Sequence, residues 1–213
     1  MSNTQQQIVH IVDDDEAVRD SLSLLLQSVD IPSKQHSSAQ DFLASDFAET
    51  TGCIVLDIRM PGMSGMDLQE KLEEMGCKLP IIFITGHGDI PMAVEAMKRG
   101  ALEFVQKPFR EQDLLDCINR ALQLDTDRRE SDHEIDVIKK RLESLTPREK
   151  QVMEMIVEGK ANKVIAFDLE LSQRTVEIHR AHVMEKMCTK SLAELVRMVL
   201  IARQESALGT KIE

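Results

Sequence analysis

The nearly continuous apolar runs of this chain constrain its fold more than any other feature. Ile8-Val9-His10-Ile11-Val12, Cys53-Ile54-Val55-Leu56, Ile81-Ile82-Phe83-Ile84 and the shorter Leu102-Glu103-Phe104-Val105 are rich in β-formers, and each stops at or near a residue able to do chemistry. Runs of this length without polar alternation suit strands buried on both faces, hence a parallel sheet with helical crossovers. A weaker strand is expected near Ser33 to His36. A helical face of Val18, Leu22, Leu25 and Leu26 follows the first run, and further helices are expected at about 39–47, 66–75, 90–99 and 111–124. The alternation predicts an α/β domain over 1–124, a doubly wound five-stranded parallel sheet.

Such a sheet gathers its functional groups at the carboxyl ends of its strands. Those ends carry Asp13-Asp14-Asp15-Glu16, the lone Asp57, Thr85 and Lys107. Mg²⁺ prefers one or two carboxylates plus water and phosphate oxygens, and Asp14 and Asp57 can supply that sparse coordination. A carboxylate oxygen is a competent nucleophile for a phosphoryl group, Lys107 can ion-pair with the transferred group, and Thr85 can donate a hydrogen bond to it. The bland reading of the acids, that they cap a helix N-terminus, loses ground because Asp57, Thr85 and Lys107 occur with them. The sequence holds no Gly-x-x-x-x-Gly-Lys, Gly-x-Gly-x-x-Gly or Gly-x-Ser-x-Gly pattern, so nucleotide binding and serine hydrolysis lack support.

With 213 residues, 42% hydrophobic and 30% charged, the chain suits one large globular domain or two modest ones. No apolar run approaches the roughly 18 residues of a membrane span and the first residues lack signal-peptide character, so a cytoplasmic protein with no membrane partner is expected. Cys53, Cys77, Cys117 and Cys188 are scattered and read as reduced packing residues. The net charge of −11 is unevenly spread: residues 1–124 hold ten basic and twenty acidic side chains, whereas 159–203 hold eight basic and five acidic. The acid therefore sits in the first half, leaving a locally basic segment available for phosphates.

Residues 125–144 are densely charged and read as a solvated helical linker with a modest apolar face of Ile135, Ile138 and Leu142, a spacer rather than a dimerising coiled coil. A second domain, 145–213, opens at Thr146-Pro147-Arg148-Glu149, a capping box with Pro at the first helical position. Its first helix carries Val152, Met155 and Ile156 inward and stops at Gly159. A second helix is expected at about 161–169, a third from Gln173 to about Met187 after Ser172 as N-cap, and a fourth near 191–201, making a small all-α module. The third helix has an apolar back of Val176, Val183 and Met187. Its remaining faces carry Arg174, Thr175, Glu177, Ile178, His179, Arg180 and Lys186, types that read base edges or contact phosphates, with Lys163 a further phosphate candidate. His179 and His182, three apart, read as structural or DNA-facing rather than metal-binding. An ordinary solvated helical bundle is the competing reading of this segment.

Ile11-Val12-Asp13-Asp14-Asp15-Glu16, Leu56-Asp57-Ile58-Arg59-Met60-Pro61-Gly62, Ile84-Thr85-Gly86-His87-Gly88-Asp89 and Lys107-Pro108-Phe109 resemble the receiver domain of two-component response regulators. The segment from Thr85 to Lys98 resembles the FixJ-type branch. The resemblance implies a flavodoxin-like strand order 2-1-3-4-5 and Asp57 as acceptor of a phosphoryl group from a sensor histidine kinase. It implies Asp13, Asp14, Asp57 and the Arg59 backbone carbonyl as Mg²⁺ ligands, Thr85 and Lys107 on the phosphoryl oxygens, and a cis Lys107-Pro108 bond. Thr85 and Phe104 would form the switch to a dimerising face over 90–124, and Arg59 and His87 would tune the lifetime of the acyl phosphate.

Leu145-Thr146-Pro147-Arg148-Glu149, Gly159 to Ala166 and Ser172 to His179 resemble the LuxR-type helix-turn-helix, with Glu177 and Ala181 where several relatives carry Lys. Together the two halves resemble a FixJ/NarL-type transcriptional regulator, which implies a double-stranded DNA operator, RNA polymerase and a phosphorylation-driven homodimer as partners, activation as the output, and no enzyme activity. Two other readings stay open. One is an Asp-nucleophile phosphohydrolase, although such enzymes usually carry a second Asp where Arg59 stands. The other is a receiver that acts only through protein contacts.

Overall fold

The computed structural model describes residues 6–47, 50–86 and 90–209, and the chain divides into two units, 1–129 and 130–213. In the first, β1 (Gln7–Val12), β2 (Ser33–His36), β3 (Thr51–Asp57), β4 (Ile81–Thr85) and β5 (Glu103–Gln106) form one sheet in the order β2-β1-β3-β4-β5, all neighbours parallel. The order is the one expected for a doubly wound fold. Alternate β3 residues serve opposite faces. Ile54 and Leu56 pack with Val12, Phe83, Phe42, Leu68 and Leu72, whereas Cys53 and Val55 pack with Ile11, Ile82, Leu22, Leu114 and Ile118. Burial pushes the Cys53 thiol up to about 12, helped by the charge of Asp125, so it packs un-ionised.

The crossover helices are α1 (Glu16–Gln27), α2 (Ala39–Leu43), α3 (Gly65–Glu74), α4 (Ile90–Lys98) and α5 (Glu111–Glu143). Two differ from expectation. α2 stops at Leu43 instead of running to 47, with Ala44 as its C-cap. α5 does not end at 124. Asp125, read as part of a solvated linker, is fully buried: it accepts from the Gly52 backbone N–H at 2.9 Å and pairs with Arg128 and with Arg129 at 2.8 Å. Further along α5, Ile138 and Leu142 join the core of the second unit. The charged composition concealed the burial of Asp125, because its Gly52 partner lies 73 residues away in the sequence.

The second unit continues with α6 (Pro147–Val157), α7 (Asn162–Asp168), α8 (Gln173–Lys186) and α9 (Leu192–Gly209). The Thr146 hydroxyl accepts from the Glu149 N–H while Glu149 accepts from the Thr146 N–H at 2.8 Å, the reciprocal cap read in the sequence. α6 closes on Gly159 at φ +80°, a left-handed position that favours glycine. Met153 rather than Met155 is fully buried beside Val152 and Ile156, and α9 extends beyond 201.

His10, counted in the sequence within an apolar run, is fully buried and forms a polar cluster with β2. Its Nδ1 lies 3.0 Å from His36 Nε2 and its Nε2 lies 3.0 Å from Thr50 Oγ1, with Phe42 edge-on to both rings. Burial lowers His10 to about 4, with the nearby charges of His36 and Lys34 acting in the same direction. Burial also lowers His36, against the raising effect of Asp41. The folded state therefore favours neutral imidazoles. Their contribution is fully present above the unfolded value of 6.5 and is lost as pH falls from there towards about 4, where the unfolded chain binds protons that the folded chain refuses. Denaturant unfolding should show the first unit losing on the order of 3 kcal/mol across this window from His10. His10→Leu should flatten that slope; an unchanged slope would contradict the assignment.

Candidate functional site

Parallel strands in register bring their carboxyl ends to one edge. Val12 stands opposite Leu56, and Asp57 opposite Ile84. Asp13 follows β1, Asp57 ends β3, Thr85 ends β4 and Lys107 follows β5. Lys107 Nζ donates to Asp13 Oδ2 at 2.7 Å and to Asp57 Oδ1 at 3.0 Å. The other Asp57 oxygen accepts from the Arg59 N–H at 2.7 Å, and Asp13 Oδ1 accepts from the Asp15 N–H at 2.9 Å. The acidic cluster thus divides its labour. Asp15 caps α1 by accepting from the Ala17 N–H, Asp13 is buried against Lys107, and Asp14 stays exposed. Capping and a charged pocket coexist in adjacent residues.

Two backbone features set this geometry. The Lys107-Pro108 bond is cis, and the Lys107 N–H donates to the Thr85 carbonyl at 2.7 Å. At the start of α3, a Cβ on Gly65 would lie 2.2 Å from the Asp57 carbonyl oxygen, so only glycine lets the helix close against the strand end. Burial raises the Asp57 carboxyl above the ordinary range and the charge of Asp13 adds to this, while the hydrogen bond and charge of Lys107 oppose it. Burial alone would lower Lys107, but hydrogen bonds and charges from Asp13 and Asp57 outweigh it and raise the ammonium. Two carboxylates and one firmly protonated amine in a half-closed pocket suit a cation and a phosphoryl group.

In the second unit, Ser172 caps α8 by accepting from the Thr175 N–H at 3.0 Å. Val176, Val183 and Met187 are fully buried, which fixes the orientation of the helix. Arg174, Glu177 and Ile178 lie exposed on its far side, as does Lys163 on α7. That surface offers a cation, a carboxylate and an apolar tip, a mixture suited to groove edges.

Residues 9–119 match the family described as "Response regulator receiver domain", and residues 143–199 match "Bacterial regulatory proteins, luxR family". The chain is a response regulator. It is 47% identical over 196 residues to the response regulator protein TmoT of Ectopseudomonas mendocina, spanning 92% of this chain and 89% of that one. It is 47% identical over 192 residues to the transcriptional regulatory protein FixJ of Rhizobium meliloti, spanning 90% and 94%. A solved structure of the response regulator StyR superimposes with a TM-score of 0.85 at 46% identity, covering 91% of this chain and 98% of that one.

Within this response regulator the expected residues are unevenly placed. Asp13, Asp57 and Lys107 meet directly, and Thr85 is buried at the same edge. Phe104 is half-buried against the core face that includes Phe83. Arg59 turns its N–H to Asp57 and is otherwise exposed. His87 lies outside the described residues. On α8, Thr175 bonds the Ser172 hydroxyl at 2.8 Å, and His179 and Arg180 are half-buried. Lys186 lies at the opposite end of the helix, where its Nζ donates to Glu149 Oε2 at 2.6 Å. The Lys186 and Thr146 hydrogen bonds hold the Glu149 carboxyl down at about 2. Sequence reasoning assigned Lys186 to phosphate and missed this pair, because nothing in a linear pattern connects positions 37 residues apart.

Proposed function

We propose that Asp57 accepts a phosphoryl group from the phosphohistidine of a sensor kinase, and that this event turns on operator binding by the luxR-family unit. A carboxylate oxygen of Asp57 attacks phosphorus, the P–N bond breaks, and the acyl phosphate forms. Lys107, already bridging Asp13 and Asp57, turns to the phosphoryl oxygens, and the Thr85 hydroxyl donates to one of them. The observation that carries this reading is the Lys107 bridge at 2.7 and 3.0 Å. The donor set also fits Mg²⁺: two carboxylates converge on a single competing cation and a third, Asp14, lies open to water. Asp13, Asp14, Asp57 and the Arg59 carbonyl would hold it, and when bound it neutralises charge that builds on the transferring group.

The acyl phosphate pairs receivers through the α4–β5–α5 face, where Val94 and Met97 are exposed and Arg120 pairs with Glu103 at 3.1 Å. Pairing brings a second reading head to its half-site, so affinity rises without a new DNA contact. Among the described residues no helix is long and apolar enough to cross a membrane. The proposed setting is the cytoplasm, and the proposed output is activation through RNA polymerase. Arg174, Glu177 and Ile178 are the proposed base-edge contacts, with Lys163 and Arg180 on phosphates and Ser172, Thr175 and His179 supporting the helix. Lys186 is left to Glu149.

The test is operator binding by the beryllofluoride-treated protein. Arg174→Ala should weaken specific binding by 1–3 kcal/mol, about 5- to 150-fold. Equal losses on operator and random DNA would demote Arg174 to a phosphate contact, and no loss on either would remove it from the interface.

A further inference from the structure

We infer that the second unit carries a transition-metal site, formed by Glu149 of α6 with His179 and His182 of α8, that clamps these two helices together. One ligand atom from each residue lies within 4.8 Å of the others, and Glu149 Oε1 is 3.6 Å from His182 Nδ1. Zinc–nitrogen and zinc–oxygen bonds of about 2.0–2.2 Å at tetrahedral angles set ligand atoms roughly 3.4 Å apart. The Glu149–His182 separation is therefore close to the required bite. The remaining adjustment falls on His182, whose side chain is 52% exposed and free to turn.

The polar bookkeeping around the cluster favours the same conclusion. Glu149 accepts from the Thr146 N–H at 2.8 Å and from Lys186 Nζ at 2.6 Å, both through Oε2. Oε1 is turned to His182 Nδ1 at 3.6 Å. His179 Nδ1 is buried and has no hydrogen-bond partner among the described residues. A buried imidazole nitrogen without a partner costs free energy that coordination of a cation would recover. The i, i+3 spacing of the two histidines sets both rings on one face of α8, and the capping box of α6 holds the carboxylate towards that face.

Two imidazoles and one carboxylate select zinc-like cations over Mg²⁺ or Ca²⁺, which take all-oxygen sets. Lys186 on the opposite carboxylate oxygen weakens the site through charge repulsion but does not occupy the oxygen that the cation needs. Three protein ligands leave a fourth position to water. A cation bound here ties α6 to α8, the helix whose far side exposes Arg174, Glu177 and Ile178.

The full chain, stripped with chelator, is titrated with Co²⁺ and then with Zn²⁺, and the visible ligand-field band is followed. One equivalent of Co²⁺ should give an intense band typical of four-coordination, and Zn²⁺ should bleach it. Asp57→Asn, which alters the receiver pocket, should keep the band. His182→Asn, an exposed position expected to fold normally by circular dichroism, should lose it and weaken Zn²⁺ binding at least about tenfold. Absence of the band in the unaltered chain overturns the inference, as does a band unaffected by His182→Asn or one that disappears with Asp57→Asn alone.

Discussion

Asp57→Asn is expected to abolish labelling by a small phosphodonor such as acetyl phosphate. The carboxylate ends β3 with Oδ1 on Lys107 and Oδ2 on the Arg59 N–H, so an amide of the same shape fits the pocket. It lacks the anionic oxygen that attacks phosphorus, and no rearrangement of neighbours restores it. Asp13 is buried and committed to Lys107 and the Asp15 N–H, while Asp14 is exposed to solvent, so neither substitutes. Removing one of two acids that crowd one ammonium should leave stability nearly unchanged. Radiolabel incorporation at background, with a normal urea midpoint, is the expected pair of results. Label retained in the variant would move the acceptor to another side chain.

Lys107→Met should separate cation binding from phosphoryl transfer. In the protein as it stands, the ammonium sits 2.7 Å from Asp13 and 3.0 Å from Asp57, occupying the charge that a divalent cation would meet. Its removal leaves the carboxylates uncompensated, so Mg²⁺ should bind about tenfold more tightly, a gain of about 1.4 kcal/mol. The phosphoryl oxygens lose their ammonium at the same time, so labelling should slow and the coupling of labelling to dimerisation should fail. The chain has no Trp or Tyr to report the binding, so calorimetry is the suitable measurement. Weaker Mg²⁺ binding in this variant would mean that the lysine organises the acids more than it competes for them.

The fold was legible where local pattern and burial coincide. Cys53 to Leu56 reads as a doubly covered strand because both its faces are apolar, and both are buried. The strand ends were legible for the same reason, since a run that stops at Asp57 or Thr85 marks the edge where chemistry collects. What escaped was set by distant partners. His10 counted as one more residue in an apolar run, yet it meets His36 and Thr50 through specific ring nitrogens. Asp125 looked like the first charge of a solvated linker, yet it is buried beneath two arginines and the Gly52 N–H. Lys186 had the charge of a phosphate contact, but the fold assigns it to Glu149. For Asp125 and Lys186 the charge was read correctly and the partner was not, because a polar side chain declares its chemistry but not the group it will find after folding.

The most direct test of the whole account compares dimerisation and operator affinity of the full chain with and without beryllofluoride plus Mg²⁺. The gel-filtration mass should double and operator affinity should rise only when both are present, and Asp57→Asn should show neither change. Operator binding of equal strength in all four conditions would contradict it.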